Sequence, residues 1–375
     1  MQTTHRVHYQ DAQSMPQIPD ASVDLVVTSP PYPMIEMWDE CFAALNPEVR
    51  TALDVKDGAA AFQLMHEELD AVWREVTRVV KPGGIVCVNV GVATRSVGGK
   101  FCAYPNHSRI IEFFSKNGFD TLPEIIWRKQ TNAPNKFMGS GMLPVGAYVT
   151  LEHEFILIFR KGPKREFSRP AEKKTRSESA FFWEERNQWF SDLWEFKGTR
   201  QAKSCDGVRE RNGAFPLELP YRLINMFSIK GDLVLDPFLG TGTTMCAAII
   251  AGRNSAGVER ERAFAAHIMA GVKEVKVFGN VIIEARLAKH AAFVTQREED
   301  GDLKYANENH AVSTVTRQER ELRLDFISEI DVRSPEIVIA HYDSTLAAGT
   351  THNQKNPQKR TRQSPSLDEW MPLAS

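Results

Sequence analysis

Apolar positions along this 375-residue chain follow two periods. Short continuous runs read as strands buried on both faces: 23–27, 85–90, 122–127, 155–159 within a stretch that begins at Val149, and 233–235. Between them, Phe62, Met65, Leu69, Val72, Trp73, Val76 and Val80 recur at helical spacing. They predict a helix over 61–80, stopped by Lys81-Pro82-Gly83-Gly84. Segments 107–116 and 244–251 read as further helices, as does an amphipathic stretch opened by 214–220 and running to Phe227 or Ser228. This alternation predicts an α/β fold. Residues 33–60 read as mixed, with a short helix near Trp38 that could form a flap, and 91–106 read as loop. Residues 161–212 break the alternation. Beyond 275 the pattern is faint, with two strand-like runs at 321–327 and 336–340. Residues 345–375, rich in Thr, Asn, Gln, Lys and Pro, read as disordered.

Composition narrows the class. A hydrophobic content of 42% and a charged content of 25% are those of a soluble globular protein. No apolar run approaches the length of a membrane span, and the polar first residues show no secretory signal. Five cysteines (41, 87, 102, 205, 246) lie scattered without a CxxC pair. That predicts reduced thiols in a cytoplasmic protein and no metal site. A net charge of −2 does not mark the whole chain as nucleic-acid binding, so any such contact needs a local patch. Residues 161–211 hold 13 Lys and Arg against 9 Asp and Glu, interleaved with Phe181, Phe182, Trp183, Trp189, Phe190 and Trp194. Those rings are either a subdomain core or a contact surface for bases; the pattern alone leaves both open.

Candidate chemistry sits at two strand ends. Thr28-Ser29-Pro30-Pro31-Tyr32 follows the apolar run 23–27. Two prolines fix φ twice, remove two donors and keep Ser29 and Pro30 extended. The result is a stiff bracket that aims carbonyl oxygens and the Ser29 hydroxyl at one spot, beside the ring of Tyr32. Acceptors plus a stacking face suit the exocyclic amine of a flipped base. The second end is Leu233-Val234-Leu235-Asp236-Pro237-Phe238-Leu239-Gly240-Thr241-Gly242-Thr243-Thr244, which reads as strand, glycine turn and helix. Gly240 and Gly242 permit a tight turn and close approach of a ligand. Glu259 lies 23 residues beyond Asp236, the spacing of a carboxylate that takes ribose hydroxyls in a Rossmann-like site.

These two motifs resemble the DNA methyltransferases that methylate the N4 of cytosine or the N6 of adenine. The resemblance spans roughly 5–275, and the bracket-first order is similar to the circularly permuted beta group. It implies a Rossmann-like S-adenosylmethionine-dependent methyltransferase fold with a target-recognition insert. It divides the chain into a catalytic half (1–160), the insert (161–212, with 130–148 as an addition), a cofactor half (213–275), a carboxyl-terminal extension (276–344) and a tail (345–375). It implies catalytic roles for Ser29, Pro30, Pro31 and Tyr32. Cofactor contacts are implied for Asp236, Phe238, Gly240, Gly242, Thr243, Glu259, Phe215 and Pro216. Relatives carry His-Pro where this chain has Asn212-Gly213, which changes one wall of that pocket. Trp127 and Lys129 match the strand motif behind the catalytic loop. Implied partners are S-adenosyl-L-methionine, double-stranded DNA, a homodimer mate and a separate cognate restriction endonuclease. A bracket opening with serine resembles the cytosine-N4 enzymes more than the adenine-N6 enzymes. Cytosine C5 chemistry needs a cysteine nucleophile after a proline, and no cysteine here follows one. An enzyme acting on RNA or protein, or a non-catalytic DNA-binding regulator, are the rival classes.

Overall fold

The computed structural model describes residues 1–129, 138–198, 215–299, 301 and 303–344. The expected tail at 345–375, the loop residues Asn132, Asn135 and Lys136, and Asn212-Gly213 lie outside the described residues.

Six consecutive buried residues, Val23–Thr28, make a strand too apolar to face water on either side. It lies inside a ten-stranded sheet whose members are numbered here along the chain: β1 Gln2–Tyr9, β2 Val23–Thr28, β3 Val80–Val90, β4 Phe119–Arg128, β5 His153–Lys161, β6 Leu193–Glu195, β7 Leu233–Asp236, β8 Asn254–Glu259, β9 Phe326–Ser334 and β10 Ile337–Asp343. Their order across the sheet is β6-β4-β5-β3-β2-β7-β8-β1-β10-β9. The centre is parallel: β3, β2, β7, β8 and β1 all run one way. Strand β5 is antiparallel to both β3 and β4.

Side chains alternate between two cores. Leu25 and Val27 enter the core beneath the helices Glu218–Phe227, Thr243–Ile250 and Ala265–Glu299. Val26, Val86 and Val88 enter the core beneath Gly58–Val79 and Asn106–Lys116. The architecture is therefore a three-layer α/β fold of Rossmann-like type, as expected.

One expectation changes. Segment 91–106 is not loop throughout: Ala93–Val97 pairs with Lys100–Tyr104 around Gly98-Gly99, both at positive φ. That is the two-residue turn such a hairpin needs. The region after 275 packs on the ten-stranded sheet. Ala265–Glu299 forms a 35-residue helix whose buried stripe runs through Ile268, Val272, Val275, Gly279, Ile282, Arg286, His290 and Val294. Strand β10 then pairs with β1 and completes the main sheet.

Described parts of 161–212 also pack on the main sheet. Strand β6 is parallel to β4 at the sheet edge, and Phe182, Trp189, Trp194 and Phe196 are buried, three of them in the main core. Of the aromatics whose role the pattern leaves open, Phe182, Trp189 and Trp194 are core, Phe181 and Trp183 are half-buried, and Phe190 is exposed. The basic stretch before them is anchored at the amino ends of the strands, where Arg165 pairs with Asp232 at 2.7 Å and Asp24 at 3.5 Å. That end of the sheet is opposite both motifs. Among the described residues no helix is long and apolar enough to cross a membrane.

Candidate active site

Strands β2 and β7 are hydrogen-bonded neighbours, with Leu25 opposite Val234 and Val26 opposite Leu235. Their carboxyl ends therefore deliver the proline bracket and the glycine bend to one place. A direct tie joins them: the Thr28 hydroxyl donates to Asp236 Oδ1 at 2.6 Å. The other carboxylate oxygen of Asp236 accepts from the Thr244 hydroxyl at 2.6 Å, and Oδ1 also takes the Phe238 amide at 3.0 Å. Burial pushes the Asp236 carboxyl up to about 6, against the opposing pull of those donors. Asp236 spends its acceptors fixing the bend to the bracket strand.

One cavity of about 1170 Å³ lies against both ends. Ser29, Pro30, Pro31, Tyr32, Asp236, Phe238, Gly240, Thr243, Glu259 and Phe215 all line it. Gly242 and Pro216 do not. Gly242 caps the helix Thr243–Ile250 at φ +85°, and a Cβ there would stand 3.2 Å from Ile268. Pro216 gives its carbonyl to the Leu219 amide at the start of the helix Glu218–Phe227. At the bend, the Gly240 amide donates to Glu259 Oε2 and the Glu261 amide to Oε1, each at 2.8 Å. Burial is the larger effect on Glu259 and lifts its carboxyl to about 7.

The bracket is held from behind by a buried amide. Asn106 Nδ2 donates to the carbonyls of Pro33 (3.3 Å) and Gly91 (3.1 Å), so its oxygen is the acceptor for His66 Nε2 at 3.0 Å. Burial depresses the His66 imidazole to about 3, so the ring is neutral with its proton on Nε2. Asn106→Ala would orphan three polar groups at once. The expected cost is about 2–4 kcal/mol in urea denaturation, at roughly 1–3 kcal/mol per unsatisfied group with partial relaxation. A loss below about 1 kcal/mol would show that the bracket does not need this clamp.

Sequence reasoning missed the neighbours of Tyr32. Its hydroxyl meets Ser29 Oγ at 3.1 Å, Glu154 Oε2 at 3.1 Å and Asn89 Nδ2 at 3.0 Å. Asn89 Nδ2 also donates to Glu154 Oε2 at 2.6 Å, and Lys129 forms an ion pair with Glu154. Burial and the nearby Glu154 charge hold the Tyr32 phenol well above its ordinary value. The missed signal was positional: Asn89 and Glu154 sit on β3 and β5, adjoining strands whose near ends meet the bracket. Trp127, assigned by motif to the strand behind the loop, is buried and touches the cavity edge, with Lys129 4.5 Å above its ring.

A chamber at the carboxyl ends of central parallel strands, with a glycine bend on one wall and an acceptor bracket on the other, defines a nucleotide-cofactor transferase of the Rossmann-like methyltransferase class. Comparison with known proteins carries this further. Residues 23–270 match the model of the N6/N4 methyltransferase family, described as DNA methylase. The type II methyltransferase M.MthZI of Methanothermobacter thermautotrophicus is 53% identical over 326 residues, 86% of this chain and 91% of its own. M.MjaI of Methanocaldococcus jannaschii, also a type II methyltransferase, is 51% identical over 271 residues, 69% of this chain and 88% of its own. Among solved structures, a Thermus thermophilus protein assigned as a DNA modification methylase, complexed with S-adenosyl-L-methionine, is similar. It is 34% identical, covers 72% of this chain and 96% of its own, and has a TM-score of 0.54.

The chain belongs to this DNA methylase family, the amino-methylating enzymes of restriction–modification type.

Proposed function

We propose that the protein transfers a methyl group from S-adenosyl-L-methionine to the exocyclic N4 of a cytosine flipped out of duplex DNA. The DNA amino-methyltransferase class and its cofactor follow from family membership. The observation that carries the finer reading is the serine at the head of the bracket, which lines the chamber together with Pro30. A hydroxyl leaves room beside the smaller pyrimidine ring.

The bend end of the chamber fits a nucleoside. Each Glu259 oxygen takes one backbone amide and keeps acceptor capacity for a ribose hydroxyl. Gly240, Thr243, Phe238 and Phe215 would bound the rest of the cofactor, with Asp236 setting the bend. The bound cofactor supplies an electrophilic methyl on a sulfonium. The chain's own contribution is placement. Ser29 Oγ and the Pro30 carbonyl accept the two amine N–H bonds and favour a pyramidal nitrogen with a localised lone pair. Holding donor and acceptor in line supplies several kcal/mol without a covalent intermediate. The spare proton leaves to solvent after transfer. Tyr32 presents its ring to the extruded base, whose unpairing costs a few kcal/mol.

The reading also includes the bracket-first permuted order, a homodimer and a separate cognate endonuclease. Light scattering checks the dimer. The base is decided by mass spectrometry of nucleosides from duplex DNA incubated with protein and cofactor. N4-methylcytosine is expected; N6-methyladenine alone would move the assignment to adenine. Transfer to RNA or protein in place of DNA would overturn the reading altogether.

Cofactor affinity should depend on pH through Glu259. Its carboxyl lies near 7 against an ordinary 4.5, so the folded state holds the proton more tightly than the unfolded chain. Its contribution to stability is present below pH 4.5 and is lost as pH rises through 7. Ribose hydroxyls donate, so binding needs the ionised form. Affinity is expected to fall about tenfold from about pH 8 to about pH 6, and Glu259→Gln to flatten that slope, by isothermal titration calorimetry.

A further inference from the structure

The Tyr32 hydroxyl has one proton and several claimants. Glu154 Oε2, at 3.1 Å, can only accept. The Asn89 backbone carbonyl, at 3.4 Å, can also only accept. Asn89 Nδ2, at 3.0 Å, can only donate. The orientation of that amide is fixed, because turning it over would set its oxygen 2.6 Å from the Glu154 carboxylate. The shorter contact to a charged acceptor outcompetes the longer one to a neutral carbonyl. Tyr32 therefore donates to Glu154 and accepts from Asn89.

That leaves one arrangement for Ser29, whose Oγ lies 3.1 Å from Tyr32 Oη. The Tyr32 proton is already committed, so the serine must donate. Its own proton turns back toward the wall, and its lone pairs face the chamber. An amine substrate needs that polarity: the target nitrogen brings hydrogens, so a Ser29 proton aimed outward would repel it.

We propose that Glu154 is a positioning residue that sets the direction of the Ser29 hydroxyl through Tyr32, making the bracket an acceptor for an exocyclic amine. Lys129 supports it by pairing with Glu154 on the side away from Asn89. Gly91 admits the arrangement: a Cβ there would lie 3.2 Å from the Tyr32 ring and 3.4 Å from Glu154 Cγ. The inference rests on the amine-methylating reading above and adds a residue on a different strand from either motif.

The test is a double-mutant cycle between Glu154→Gln and Tyr32→Phe, read as single-turnover methylation of duplex DNA. In Glu154→Gln the charged acceptor that holds the phenol proton is gone, so the proton is free to turn to Ser29 or to the Asn89 carbonyl and the serine hydroxyl loses its fixed direction. The rate should fall roughly 10- to 100-fold, the scale of one hydrogen bond to a charged group. KM for DNA and calorimetric cofactor affinity should stay within about twofold of the parent on the same argument, since the cofactor wall is untouched. In the Tyr32→Phe background no phenol proton remains to redirect, so Glu154→Gln should add less than about a twofold further loss.

Losses that multiply, or a Glu154→Gln variant at full rate, would overturn the proposal. If Glu154→Gln fails to bind cofactor, Lys129→Met reads the same cycle, with a rate loss expected in the Tyr32 parent and none added in the Tyr32→Phe background. A parent protein that methylates no DNA base would instead count against the proposed function.

Discussion

Ser29→Ala is expected to lower the methylation rate about 100- to 1000-fold, the range seen when one preorganised polar group is removed from a reacting centre. Cofactor affinity and KM for DNA should change little, because on the proposed reading the serine meets the substrate at the reacting nitrogen alone. The structure gives reasons for so large an effect. The hydroxyl stands on a doubly proline-stiffened segment, so no neighbouring side chain can move in to replace it. Its oxygen lies 3.1 Å from the Tyr32 hydroxyl, and in the arrangement proposed above it gives its proton to Tyr32 and keeps its lone pairs for the substrate. Its backbone is braced by Asn106 through the Pro33 and Gly91 carbonyls. Pre-steady-state methyl transfer to duplex DNA measures the loss. A change under about threefold would mean that the Pro30 carbonyl acts alone.

Glu185→Ala should cost about 3–5 kcal/mol of stability, the largest structural effect expected of a single change outside the chamber. The Arg286 guanidinium is buried and donates to both Glu185 oxygens at 2.6 and 2.8 Å and to the Tyr221 hydroxyl at 2.7 Å. It also lies over the rings of Trp189 and Tyr221. Truncating the carboxylate strands a buried cation, which is far worse than deleting the whole pair. Replacing Arg286 and Glu185 together with apolar residues of similar volume should recover most of the loss. Urea denaturation followed by circular dichroism decides this. The pair links the helix Ala265–Glu299 to the helix Trp183–Trp189, two segments that the sequence pattern assigns to separate units.

The contacts between these segments are hidden along the chain for a physical reason. The buried stripe of Ala265–Glu299 is broken by Gly279, Arg286 and His290, which read as interruptions when hydrophobicity alone is counted. Gly279 is there for contact: a Cβ would meet Ile250 at 2.9 Å and Ile327 at 3.0 Å. Arg286 is buried only because Glu185 is, and such pairing is invisible along the chain. The charged, aromatic stretch 161–196 leaves core and surface equally open along the chain, and only the folded sheet shows Phe182, Trp194 and Phe196 in the core. Local signals fared better. Buried parallel strands announce themselves as unbroken apolar runs, and β2 and β7 were legible for that reason. So were the bracket and bend, since Pro-Pro and glycine constrain the backbone directly. The Glu154–Tyr32–Asn89 network was not, because three strand ends must meet before it exists.

A crystal structure with S-adenosylhomocysteine and a duplex carrying the target base tests the central geometry most directly. The account predicts the sulfur beside the bend and the base extruded against the bracket. The amine should lie on the Ser29 and Pro30 acceptors, with the sulfur-to-nitrogen line clear for a methyl reaching about 3–3.5 Å. A cofactor seated in another cavity, or with its sulfur turned away from Ser29, would contradict it.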